Sequence, residues 1–178
     1  LDKEWSYMKD FEVFGKEEII YGKSDVIASD ENCLFAPAVL CFVEKNVELP
    51  EEFRKLKARL CAAGNRVFDG MRNWVKNTAE GLWSAPASLA SFRLICALGN
   101  RSDYSLEVCD LDGAYLQSSL PTKSNYYLEV KINELPTHLQ EKARKQGVSR
   151  PCLRIHRSLY GLMESGHVWA EHASEKLV

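Results

Sequence analysis

Hydrophobic residues recur along this chain with two spacings, and the spacing changes several times. Residues 2–14 carry Trp5, Met8, Phe11 and Val13 on one side of a helical wheel, which predicts a short amphipathic helix. Residues 15–37 are mixed and polar, with Gly15, Gly22 and Pro37 as breaks. A β-rich run at 39–43 predicts a strand, and Pro50 with Glu51 and Glu52 closes the connection after it. Residues 56–62 then alternate. Leu56, Ala58, Leu60 and Ala62 fall on one face, and Lys57, Arg59 and Cys61 on the other. Gly64-Asn65 is a turn signal, so the two runs read as an antiparallel pair joined by a longer loop. Residues 67–83 read as a loop anchored by Trp74 and Trp83.

Ser84-Ala85-Pro86 is a helix-opening signal, with a small polar cap and proline in the first turn. The helix it predicts carries Leu89, Phe92, Leu94, Ile95 and Leu98 and stops at Gly99-Asn100. Its apolar residues surround most of the axis, which predicts burial on more than one side. Residues 104–110 alternate, with Tyr104, Leu106 and Val108 on one face, and predict a buried strand ending at Asp110. Two further strands are expected at 126–132 and 152–156, with a basic helix at 135–146 between them. A last amphipathic helix begins near Glu164-Ser165. This order predicts an α+β fold with an antiparallel sheet packed on helices.

Composition narrows the class. The chain has 178 residues, 46% hydrophobic and 27% charged, the balance of a globular protein rather than a disordered one. No apolar run reaches the roughly 20 residues of a membrane span, so no membrane partner is expected. The beginning lacks a signal-peptide pattern and an initiator Met, and reads as the interior of a longer polypeptide. The six cysteines form no Cys-x-x-Cys pair and no zinc spacing with histidine, which points to a reducing compartment. Most of them lie in apolar runs and read as small buried hydrophobes. The net charge of -2 conceals segments of -8 (1–52), +7 (53–101) and -1 (102–178). A basic middle suits a local phosphate site, and equally a solvated positive face.

Three stretches could carry chemistry. Asp110-Leu-Asp-Gly-Ala-Tyr115 presents carboxylates at a strand end, as a hard divalent cation requires or as an ordinary turn does. Lys57 and Arg59 sit about 7 Å apart on one strand face, a span that could straddle a triphosphate or simply face water. Residues 157–169, Arg-Ser-Leu-Tyr-Gly-Leu-Met-Glu-Ser-Gly-His-Val-Trp, join a strand to a helix through glycine. Such a junction lines a site or packs Trp169 into the core. His167 and His172 read as surface or locally bonded residues.

Taken in order, these stretches resemble the reverse transcriptase of copia-type LTR retrotransposons. The matching pieces are Lys57-Ala-Arg-Leu-Cys-Ala-Ala-Gly-Asn-Arg66, Ser84-Ala-Pro-Ala-Ser-Leu-Ala-Ser-Phe-Arg-Leu94, Asp110-Leu-Asp-Gly-Ala-Tyr-Leu116, Tyr127-Leu-Glu-Val130, and Ser158-Leu-Tyr-Gly-Leu162 with Trp169. The resemblance covers roughly residues 40–178. It implies an N-terminal extension (1–39), a fingers-like region with the start of the palm (40–109) and a partial palm (110–178). It implies an RNA-directed DNA polymerase that uses two Mg²⁺ ions, with Asp110 as catalytic carboxylate and metal ligand and the Leu111 carbonyl as a second ligand. Lys57 and Arg59 would grip the triphosphate. Gly113, Ala114 and Tyr115 would meet the incoming nucleotide, Tyr115 beneath its sugar, where it excludes a ribose 2′-hydroxyl. Glu164 stands where the family carries Gln near the nucleotide. Implied partners are an RNA or DNA template-primer, deoxynucleoside triphosphates and the rest of the Pol polyprotein. The implied location is intracellular, in a cytoplasmic virus-like particle with a nuclear stage.

Two of the chain's departures from the family matter most; His167 and Gly166 also stand where the family commonly has a basic residue and Pro. Val178 precedes any x-x-Asp-Asp motif, so these residues alone are expected to be inactive. Glu164 brings an anion where an amide is usual. Two alternatives stay open: a non-catalytic remnant that keeps a nucleic-acid grip, and an unrelated α+β interaction domain.

Overall fold

The computed structural model describes residues 1–76, 87–123 and 125–177. Helix α1 (Asp2–Asp10) is followed by β1 (Ile20–Gly22), α2 (Lys23–Ser29), β2 (Leu34–Lys45), β3 (Lys55–Ala62) and β4 (Phe68–Asp69). Then come α3 (Leu89–Gly99), α4 (Ala114–Gln117), β5 (Tyr126–Glu129), α5 (Thr137–Lys145), β6 (Pro151–Arg154) and α6 (Ser165–Leu177). The architecture is α+β. Among the described residues, six strands form a sheet in the order β1-β6-β5-β2-β3, with β4 beside β2. No helix among them is long and apolar enough to cross a membrane.

Period two explains how the sheet buries both of its faces. Ala36, Leu128 and Leu153 point into the larger core with Trp5 and Met8 of α1 and Leu139 of α5. Their chain neighbours Phe35, Tyr127 and Cys152 point the other way, onto Val26 of α2. Strand β2 changes role along its length. Residues 34–37 lie between β5 and β4, whereas 38–45 pair with β3 in unbroken antiparallel register, from Ala38–Ala62 to Lys45–Lys55. The second half leaves the core, and burial falls away toward its tip. A two-stranded ribbon therefore projects from the sheet.

Several expectations need correction. The sheet is mixed rather than antiparallel, because β2 and β5 run parallel. Eighty residues separate those two strands, ample chain for the crossover that parallel pairing needs. The mixed stretch 15–37 contains β1, α2 and the start of β2, and Pro37 is not a break, because it sits inside β2. Pro37 lacks an amide hydrogen but still serves the ladder, its carbonyl accepting from the Ala63 amide. Residues 104–110 form no strand, and Val108 is 98% exposed. Alternation marks one apolar face, but a strand also needs a neighbour, and this segment has none among the described residues. Helix α3 is likewise not buried on several sides. Its apolar residues Leu89, Phe92, Leu94, Ile95 and Leu98 are all exposed, and Leu106 packs against it at Gly99.

The cap of α3 is Ser88, whose Oγ accepts from the Ser91 amide at 3.0 Å. The opening expected at Ser84-Ala85-Pro86 lies outside the described residues, as does Trp83. Trp74 is exposed rather than an anchor, with its Nε1 donating to the Asn65 carbonyl. Trp169 is half-buried rather than central, and its ring lies 5.8 Å from that of His172. All six cysteines are free: Cys33 and Cys152 are buried, Cys61 and Cys96 half-buried, and Cys41 and Cys109 exposed. They are therefore not uniformly small core residues. His167 is bonded locally, Nε2 lying 3.3 Å from Glu171 Oε1 on the same helix.

Candidate functional site

Lys57 and Arg59 face the same way on β3 because their spacing matches the strand period. Val43 and Cys41 of β2 stand directly across from them. Neither cation has a carboxylate partner among the described residues, so both charges are available to an anion. Arg59 is nonetheless placed. Its guanidinium lies 4.9 Å from the centre of the Tyr160 ring, a cation–π arrangement that fixes the fork without spending its donors.

Tyr160 reaches this position through two glycines. Its carbonyl accepts from the Ala62 amide at 2.7 Å, and the Gly161 carbonyl accepts from the Gly64 amide at 3.2 Å. A Cβ at Gly161 would strike the Ala62 carbonyl oxygen, and one at Gly64 would strike the Gly161 oxygen. Gly161 also has φ +88°, a left-handed conformation suited to glycine. The Ser-Leu-Tyr-Gly-Leu stretch is thereby laced to the root of the ribbon.

The facing wall is the turn 110–113 and α4. Gly113 has φ +60° and precedes α4. Tyr115, on the first turn of α4, stands 5.8 Å from Tyr160 between ring centres. The Asp112 carbonyl accepts from Gln117 Nε2 at 2.8 Å, and its carboxylate accepts from the Tyr7 hydroxyl at 2.7 Å. Burial, together with that carboxylate, pushes the Tyr7 hydroxyl well above the ordinary tyrosine range, so it remains a donor. Asp110 is exposed and has no hydrogen-bond or ion-pair partner among the described residues.

The two walls share one cleft of about 930 Å³. Lys57, Arg59, Asp110, Leu111, Gly113, Ala114 and Tyr115 all line it. Glu164 does not; it lies before α6, where its carbonyl accepts from the Val168 amide. Tyr160 occupies the cleft instead, a residue inside a motif singled out by sequence but given no role there. The lining also includes Phe42 and Leu56 from the ribbon and Asp2, Lys3, Glu4 and Tyr7 from α1, none of which local patterning assigns to a site. Among the described residues the cleft thus combines the cations Lys3, Lys57 and Arg59, the carboxylates Asp2, Glu4, Asp110 and Asp112, and three tyrosine rings.

A Mg²⁺ ion takes hard oxygen ligands and shares its shell with substrate phosphates. The Asp110 carboxylate and the Leu111 carbonyl fit part of such a shell. Among the described residues no group of three or more His, Cys, Asp or Glu side chains is gathered to hold a metal. Elsewhere on the ribbon, burial pushes the Cys61 thiol up to about 11, helped by the neighbouring Cys41 thiol, which keeps Cys61 protonated and unreactive at neutral pH.

Comparison with known proteins returned no match: no family model, no curated protein and no solved structure resembles this chain closely enough to be assigned.

Proposed function

We propose that this chain is the nucleotide-gripping part of an RNA-directed DNA polymerase of the copia-type retrotransposon class. The observation that carries this reading is the shared cleft, in which Lys57 and Arg59 on the ribbon face the Asp110–Tyr115 turn. In this reading the triphosphate lies along Lys57 and Arg59, with Arg59 able to bind two phosphate oxygens at once. Tyr160 orients that guanidinium, and Tyr115 lies under the sugar. Asp110 and the Leu111 carbonyl would hold Mg²⁺, whose chemistry is to lower the pKa of an attacking hydroxyl and to neutralise the leaving pyrophosphate. The template-primer and the remaining Pol segments are proposed partners. The second reading, a non-catalytic remnant, draws on the spacing of the cleft's carboxylates, of which no three are gathered to hold a metal among the described residues, where two-ion chemistry needs several together.

Titration of the full chain with a fluorescent dATP analogue, with and without Mg²⁺, tests the proposal. The expected result is saturable binding, tightened several-fold by Mg²⁺. Asp110→Asn should remove the Mg²⁺ increment and leave the metal-free affinity unchanged. Saturable binding with no Mg²⁺ increment favours the remnant, and no saturable binding at low salt rejects the nucleotide site. In the same assay the wild-type chain should prefer dATP to ATP. Tyr115→Val should narrow that preference; an unchanged ratio removes Tyr115 from the sugar contact.

A further inference from the structure

Helix α1 touches both walls of the cleft. The Glu4 carboxylate accepts from the Leu60 amide of β3, Oε1 lying 3.2 Å away. One turn later the Tyr7 hydroxyl donates to Asp112 Oδ1. A separation of three residues puts Glu4 and Tyr7 on one helix face. The helix itself is anchored behind that face: Trp5 and Met8 are buried in the larger core, and Trp5 Nε1 donates to the Glu134 carbonyl at 3.1 Å.

The carboxylate wall meets α1 at its 110–113 end, while α4 at its other end is held by Arg157, whose guanidinium donates to the Gln117 carbonyl at 3.0 Å. The segment leading into the wall, 104–110, has no sheet partner among the described residues. Gly113 lies directly beneath α1, where an added Cβ would come within 2.7 Å of the Tyr7 hydroxyl and 2.8 Å of the Phe11 ring. Tyr7 is held in turn by edge-on packing with Phe11, ring centres 5.1 Å apart.

We propose that α1 is the strut that sets the gap between the ribbon and the Asp110–Gly113 turn, with Tyr7 as a positioning residue acting through Asp112. Its bearing on nucleotide binding rests on the function proposed above; the strut itself does not. Amide hydrogen exchange on the full chain separates the two. Tyr7→Phe should speed exchange of the Gln117 and Ser118 amides about three- to tenfold. Amides of β5 and β6 should be unchanged, and so should the whole pattern in the control Tyr104→Phe. In a double-mutant cycle, adding Tyr7→Phe to Asp112→Ala should have no further effect. Unchanged exchange at Gln117 and Ser118, uniform acceleration along the chain, or additive effects in the cycle would each overturn the strut. In the nucleotide titration, Tyr7→Phe should weaken the Mg²⁺ increment about threefold and spare metal-free binding. Equal loss of both would show a general defect and overturn the positioning role. A wild-type chain with no Mg²⁺ increment would count against the nucleotide site, and the exchange result then decides the strut.

Discussion

Gly161→Ala is expected to cost about 3 kcal/mol or more of folding free energy, read as a fall in the urea midpoint at constant slope. Two effects combine. The backbone at Gly161 has φ +88°, which an alanine adopts only under strain. The new methyl would also meet the Ala62 carbonyl, part of a strand that cannot retreat without breaking its ladder to β2. Relief means pulling the 158–162 segment off β3 and giving up the Tyr160–Ala62 and Gly161–Gly64 backbone bonds. The variant should therefore also lose nucleotide binding, because Tyr160 would no longer sit under Arg59. A stability within about 0.5 kcal/mol of wild type would show that the chain crossing is looser than described.

The double substitution Lys57→Ala, Arg59→Ala is expected to weaken triphosphate binding about 30- to 100-fold, on the order of tenfold for each charge-assisted hydrogen-bonding side chain removed. The effect on folding should be small, since both side chains project from the ribbon and neither has an ion-pair partner among the described residues. Salt dependence is the more specific reading. Binding by the wild-type chain should fall with rising ionic strength, and the variant's residual binding should be nearly flat. Arg59→Lys should behave closer to Arg59→Ala than charge alone suggests, because an ammonium lacks the planar fork that stacks on Tyr160. Wild-type affinity in the double variant would remove the ribbon from the site.

What could be read in advance follows from how local each signal is. The alternation at 56–62 predicts β3 because the ribbon's own sequence carries it, and the helical spacing around Trp5 and Met8 likewise predicts α1. Gly147, with φ +68°, follows the end of α5 as a helix-stopping glycine should. Short elements left no such trace. Strand β1 has three residues, and α2 buries only Val26. The parallel pairing of β2 with β5 joins distant residues and has no local signature. At 104–110 and 89–99 the apolar pattern is clear, yet the faces it marks remain exposed among the described residues. In the cleft, Lys57, Arg59, Asp110 and Tyr115 could be selected from residue type and order. Tyr7 and Tyr160 could not, since their places depend on which segments meet.

The division of β2 between sheet and ribbon gives the two cations unequal freedom. Arg59 stands nearer the clamped end and is braced by an aromatic ring, whereas Lys57 lies farther out, opposite Val43. Bending of a cantilever grows toward its free end. Arg59 is therefore the seated charge and Lys57 the one nearer the free end, and in the nucleotide site proposed above the first would fix a phosphate and the second adjust to it.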